Sequence, residues 1–353
     1  MNSRPLSKSQ YTKGVTCSKK LWLYRERPEL AAAPSSVQEA IFTQGHEVGR
    51  LAHQMFPGGV LIEQDHRDPE GALSATVTAI NSNTPAIYEA AFQFEDLLVR
   101  ADIVVRNGDG TWDLVEVKSS TKVKDEHLSD VAIQKFVISG SGLKLRRSCL
   151  LHLNSKYVRQ GDVISPVEIF TLAPLDAEIQ DEYAQIVASL QNLRMIVRNS
   201  IEPSVRLSSA CKNPYPCEFK GHCWESVTPD SIHYLGRILD KKRNTLLDKK
   251  IEIISQIPDG FELSEAQEVE AKCHKTKAVH IERKEIEKHL LKLKWPLYFL
   301  DFESIGYAIP EYLGTHPYEA LAFQYSVHVQ RSEGAELEHR EFLIVRPEYR
   351  PNT

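Results

Sequence analysis

Val99-Arg100-Ala101-Asp102-Ile103-Val104-Val105, then Asn107-Gly108-Asp109-Gly110, then Asp113-Leu114-Val115-Glu116-Val117-Lys118 is the stretch that decides the fold class. Two β-rich runs around an Asn-Gly-Asp-Gly spacer predict an antiparallel hairpin, because asparagine and glycine accept the left-handed backbone of a tight turn. Alternation along a strand sets Glu116 and Lys118 on one side, and the turn brings Asp102 alongside them on the neighbouring strand. The same spacing also suits an ordinary cross-strand ion pair on a solvated sheet. The flanking sequence has to decide between the two.

Working outward, residues 86–94 read as a further strand. Residues 36–55 read as an amphipathic helix, with Val48, Leu51, Ala52 and Met55 on one face and Pro57-Gly58-Gly59 as its stop. Residues 130–139 predict another helix, 149–153 a strand and 175–197 a long helix. Helix, antiparallel strands, helix and strand in that order predict an α/β domain with a mixed sheet. The expected domains are 1–229, a helical connector without a core of its own over 230–294, and 295–353. A capping box at Ser264 and Gln267 starts one connector helix.

The chain has 353 residues, of which 42% are hydrophobic and 26% charged, enough to build a core and unlike a disordered chain. Lys and Arg number 43 against 48 Asp and Glu, a net charge of -5, so any site for a polyanion has to be a local groove. Met1 to Gln10 has no apolar leader core, and no run is long and apolar enough for a membrane span. A cytoplasmic location is therefore expected. In that compartment the six cysteines read as metal ligands or buried thiols rather than disulfides.

Hard oxygen ligands from Asp102 and Glu116, with the Val117 carbonyl, are what Mg²⁺ or Mn²⁺ takes when water and phosphate oxygens fill its remaining positions. Such an ion acidifies water and neutralises charge in phosphoryl transfer. Lys118 is placed to orient or help deprotonate that water.

These residues resemble the PD-(D/E)xK nuclease superfamily, in its RecB-like branch of CRISPR-associated and AddB-type exonucleases, over about residues 1–230. The resemblance implies a restriction-endonuclease-like nuclease core acting on DNA, chiefly at single-stranded ends, with Asp102 and Glu116-Val117-Lys118 as its motif. It also implies supporting roles for Glu89 on the preceding strand and for Gln134 on the next helix, where Ile138 stands in place of an aromatic. Many relatives carry a metal-binding histidine four residues after a helix glycine. After Gly45 that position is Gly49 here. His46 and His53 fall opposite the apolar helix face and read as surface residues.

Cys211, Cys217 and Cys223 form a compact trio, and Cys17 lies near the start of the chain. Thiolate ligation suits an iron-sulfur cluster or Zn²⁺, and unliganded buried thiols are the plain alternative. Similar nucleases hold a [4Fe-4S] cluster with such a set, which implies a staple between the ends of the domain. Cys149, in an apolar strand, and Cys273, in the connector, read as ordinary buried or incidental residues. Lys118, Lys122, Lys124, Lys144, Arg146 and Arg147 could together line a phosphate groove, and Trp22 and Tyr24 could stack bases, although singly such residues are usually solvated or packed.

Residues 297–304 read as a buried-type strand ending in Asp301-Phe302-Glu303, similar to the first motif of DnaQ-like, RNase H-type exonucleases. That implies an incomplete RNase H-like segment attached to the nuclease domain, as in a bacterial family whose second half is of unknown function. The alternatives to a nuclease are a non-catalytic iron-sulfur or zinc-stapled nucleic-acid-binding or assembly module, and an iron-sulfur redox sensor. The sensor is disfavoured because no further electron-transfer partner is visible in the sequence.

Overall fold

The computed structural model describes residues 5–213 and 215–344. Pro214 of the cysteine segment lies outside the described residues, as does Val345, the last residue of the run 341–345 whose sequence is strand-like. The chain divides into two units, one of Met1–Glu29, Ala33–Ser204 and Ile305–Leu321, the other of Leu30–Ala32, Val205–Ser304 and Ala322–Thr353.

The first unit begins with β1 (Leu6–Ser7), α1 (Lys8–Thr16), α2 (Ser18–Glu26), α3 (Ser36–His53), β2 (Val60–Leu61) and α4 (Pro69–Asn81). It continues through β3 (Ala86–Phe94), β4 (Leu97–Arg106), β5 (Trp112–Lys118), α5 (Asp125–Gly140), β6 (Leu145–Leu153), α6 (Pro166–Ile169), β7 (Phe170–Pro174) and α7 (Glu182–Arg198). A mixed seven-stranded sheet runs β2-β3-β4-β5-β6-β7, with β1 added parallel to β4. The β4–β5 hairpin closes as its turn chemistry demands. Gly110 adopts φ +80°, and the Asn107 N–H donates to the Thr111 carbonyl at 2.8 Å.

Both faces of this sheet are covered. Ile87, Val104, Leu114 and Leu150 join one apolar cluster with Tyr11, Val131 and Ile133, while their chain neighbours Tyr88, Ile103, Val115 and Leu151 join another with Val48 and Ala52. Alternation therefore sends α1 and α5 to one face and α3 to the other. Sharing their strands' parity with Val104 and Leu114, Asp102 and Glu116 lie on the α1 and α5 face.

One detail of the ladder shapes the site. β3 pairs with β4 from Leu97 to Val105, so β1 and β5 must share the other edge of β4. β5 pairs there with Ile103 to Arg106, and β1 with Leu97 and Leu98. Between them no described strand pairs with this edge of β4.

The helix expected over 175–197 starts only at Glu182. The Asp176 carboxylate accepts the Ser148 N–H at 3.0 Å and the Lys135 ammonium at 2.7 Å, which ties the preceding residues to β6 and α5 instead.

The second unit holds α8 (Lys220–Cys223), α9 (Asp240–Asp248), α10 (Glu265–Thr276), α11 (Arg283–Leu290), β8 (Leu297–Ile305), β9 (Leu321–Gln330) and β10 (Leu337–Leu343). The capping box forms at Ser264 and Gln267. The expectation of a coreless connector is corrected, since Ile232, Leu235, Leu246, Ile254, Ile257 and Ala271 make an apolar cluster of their own. The expected burial of residues 297–304 is corrected too. β8 ends a three-stranded sheet ordered β10-β9-β8, and Tyr298, Phe299, Leu300 and Phe302 stand exposed on it.

Candidate functional site

The site forms where β5 leaves β4. The Val117 amide has no strand partner on that edge, and Asp102 Oδ2 accepts its N–H at 2.7 Å. Glu116, 1% exposed, is ringed by donors. Lys8 Nζ lies 2.9 Å and Lys118 Nζ 2.8 Å from its Oε1, while the amide of buried Gln134 donates to its Oε2. Lys118 also reaches Asp130 Oδ2 at 2.6 Å. Gln134 donates to the Asp130 carbonyl at 3.1 Å, and its own Oε1 is buried with no hydrogen-bond partner among the described residues.

These contacts set the charges. Burial works against ionising Glu116, yet the Lys8 and Lys118 ammoniums and the Gln134 amide outweigh it and hold the carboxyl well below its ordinary range. Asp102 goes the other way. Burial, then the neighbouring Glu116 charge, pushes it up to about 8 against the pull of Lys8 and the Val117 N–H. For Lys118, burial disfavours the charge, but Glu116 and Asp130 prevail and raise its pKa, so the side chain is an ammonium. The same balance raises that of Lys8, with Asp102 and Asp130 assisting Glu116.

Glu89 stands at φ +56°, a left-handed backbone inside β3, and the β3–β4 ladder skips the Glu89 and Asp102 pair. Its carboxylate lies 3.4 Å from Arg100 Nε and adds to the negative field on Asp102. Asp102, Glu116, Lys118, Glu89 and Gln134 are thus neighbours. Among the described residues, however, no three His, Cys, Asp or Glu side chains are spaced to hold a metal ion. Gln134 Oε1 bears on whether a cation fits. It is an open acceptor beside Glu116, which a hydrated cation would supply with a donor.

Gly49 lies on α3, which packs on the opposite face, and a Cβ there would meet nothing within 4 Å. His46 is exposed, as expected. His53 is not a surface residue: it stacks on Tyr88 with ring centroids 4.0 Å apart, and partial burial lowers its pKa.

The basic groove and base-stacking expectations are corrected in part. Arg146 and Arg147 both clamp the buried Asp113, each with a 2.7 Å contact to Oδ2, because an internal carboxylate needs charged partners. Lys122, Lys124 and Lys144 remain exposed. Trp22 is buried and donates its indole N–H to the Asn199 carbonyl at 2.9 Å, leaving no free face for a base. Tyr24 keeps an exposed ring under the Lys13 ammonium.

Cys17 caps the start of α2 in the first unit. Cys211, Cys217 and Cys223 belong to the second, where the Cys217 N–H donates to the Cys211 carbonyl at 3.1 Å. None of the four is in a disulfide, and all are partly exposed. Their soft donor chemistry suits iron-sulfur or zinc, and among the described residues the three of the second unit are not spaced to hold a metal ion. Cys149 is buried in β6, and burial pushes its thiol up to about 11. Asp301 and Glu303 lie two residues apart on β8, both exposed.

A family model described as a domain of unknown function (DUF2779) matches residues 298–353. A solved structure titled "Crystal structure of SSO0001" is similar to this chain at 17% identity and a TM-score of 0.31, over 65% of this chain and 89% of that chain. No curated protein matches the sequence. Among the described residues no helix is long and apolar enough to cross a membrane.

The sequence reading missed Lys8 and Asp130. Lys8 is 108 positions from Glu116, and nothing local distinguishes it from a solvated lysine. Asp130 had a usable signal: it sits one helical turn before Gln134, so both must address the same strand.

Proposed function

We propose that this chain is a divalent-cation-dependent nuclease of the PD-(D/E)xK superfamily, RecB-like branch, which hydrolyses phosphodiester bonds in DNA, chiefly at single-stranded ends. The observation that carries the reading is the meeting of Asp102, Glu116 and Lys118 at the opening between β4 and β5. In this reading the first unit is a restriction-endonuclease-like core working in the cytoplasm. The described strands of the second unit open an RNase H-like domain in which Asp301 and Glu303 are candidate acids.

Asp102 and Glu116, with the Val117 carbonyl, would hold Mg²⁺ or Mn²⁺. Such an ion, when bound, acidifies water and neutralises charge on the transferred phosphoryl group. The protein's own groups do the rest. Lys118, kept as an ammonium by Glu116 and Asp130, orients the attacking water and offsets negative charge rather than serving as a base. Gln134 holds Glu116 in its rotamer through its amide, and Glu89 adds negative potential beside Asp102. The reading of Cys17, Cys211, Cys217 and Cys223 as ligands of a [4Fe-4S] cluster, or of Zn²⁺, rests on their soft donor chemistry and on the family resemblance.

One observation favours a second reading. Both oxygens of Glu116 are already taken by protein donors, which suits a non-catalytic nucleic-acid-binding or assembly module. Mg²⁺-dependent degradation of labelled single-stranded DNA, lost in Lys118→Ala, supports the nuclease, whereas DNA retention with no cleavage supports the module. Metal analysis after anaerobic purification tests the staple. Iron with sulfide supports the cluster, zinc supports the alternative, and neither metal removes the staple.

A further inference from the structure

We infer that Lys8 is a tethered cation that holds the place of the divalent ion and competes with it for Glu116. This rests on reading Asp102 and Glu116 as cation ligands. β1 occupies the edge of β4 that β5 has vacated, and α1 begins directly after it at Lys8. The chain thereby delivers an ammonium into the gap beside Asp102. Its Nζ lies 2.9 Å from Glu116 Oε1, the oxygen that also faces Lys118.

Helix stability does not explain this lysine. A positive charge in the first turn opposes the backbone dipole, and the first turn of α1 has no acidic residue to offset it. What compensates it is the carboxylate group across the gap. Lys118 is anchored twice, on Glu116 and Asp130, whereas Glu116 is the ion-pair partner of Lys8 among the described residues. With 24% of its side chain exposed, Lys8 has a route to withdraw into solvent. A divalent ion on Glu116 and the Lys8 ammonium on the same oxygen repel each other strongly at such range, so loading and withdrawal are coupled.

The test is Mn²⁺ binding to the full chain by calorimetry, with K8M and K8Q compared to the wild type and E116Q as the site control. Removing the ammonium is expected to tighten Mn²⁺ binding by on the order of tenfold, and E116Q is expected to abolish it. Wild-type binding that K8M and K8Q leave equal or weaker overturns the role of Lys8 while the metal site stands. No Mn²⁺ binding by the wild type or either lysine variant removes the metal site and the role of Lys8 with it. Should both uncharged variants fail to fold, ¹³C-dimethyl-lysine NMR of the wild type reads the same event, with K8R used to assign the Lys8 signal. That signal is expected to move to a solvent-like position on Mg²⁺ addition, and a signal that stays ion-paired at saturating Mg²⁺ overturns the proposal.

Discussion

Asp102 accepts the Val117 amide at 2.7 Å across the point where β4 and β5 part. One side chain thus closes the frayed ladder and presents its remaining carboxylate oxygen beside Glu116. The site is a by-product of strand divergence: a continued ladder would have paired the Val117 amide with β4 and left Asp102 without that donor.

Asp102→Asn separates these two duties. Its amide oxygen can still accept from Val117, so thermal unfolding should stay close to wild type, while nuclease activity should fall by on the order of 10²-fold or more. Asp102→Ala should also lose stability, by about 1–3 kcal/mol, because the amide is left unpaired. Equal unfolding temperatures for the Asn and Ala variants would speak against the latch.

Glu116 is the buried acid on which two ammoniums and an amide converge. Glu116→Ala strands those cations and should cost about 3–5 kcal/mol in denaturant unfolding. Glu116→Gln, which keeps the shape and one acceptor, should cost less. A loss below about 1 kcal/mol for the alanine variant would place the lysines in solvent instead.

Glu89 holds a left-handed backbone in the middle of a strand. Glycine adopts that conformation without a Cβ clash, so Glu89→Gly should leave stability unchanged or raise it by about 1 kcal/mol while lowering activity. Paired stability and cleavage measurements check both halves. A clear loss of stability would show that the Arg100 contact outweighs backbone relief.

Asp113 supplies the pH dependence. Burial raises its pKa, but hydrogen bonds from Arg146, Arg147 and Asn107 win and lower it from 3.8 to about 2. The unfolded chain therefore takes up this proton at higher pH than the folded one. The contribution is complete above about pH 4 and disappears as pH falls towards 2, and it amounts to on the order of 1–2 kcal/mol with exposed guanidiniums as partners. The stability difference between wild type and Asp113→Asn should be constant from pH 7 to 5 and shrink below pH 4. A difference that persists undiminished at pH 2.5 would assign it to packing.

The hairpin and the meeting of Asp102 with Glu116 and Lys118 were legible because turn residues and alternation act over a few positions. Lys8 was not, since its role depends on which strand edge β5 vacates. Arg146 and Arg147 look like phosphate ligands in sequence, and only the burial of Asp113, 8% exposed at its side chain, shows what they neutralise. Residues 297–304 have the composition of a core strand, but composition does not say what covers an edge strand.

The most direct measurement is degradation of end-labelled single-stranded DNA by the full chain with Mg²⁺ or Mn²⁺, beside Lys118→Ala and a chelator control. The account predicts cation-dependent shortening by the wild type and a loss of at least about 10²-fold in the variant. Cleavage that survives both the chelator and the loss of Lys118, or intact DNA at every cation concentration, would contradict it.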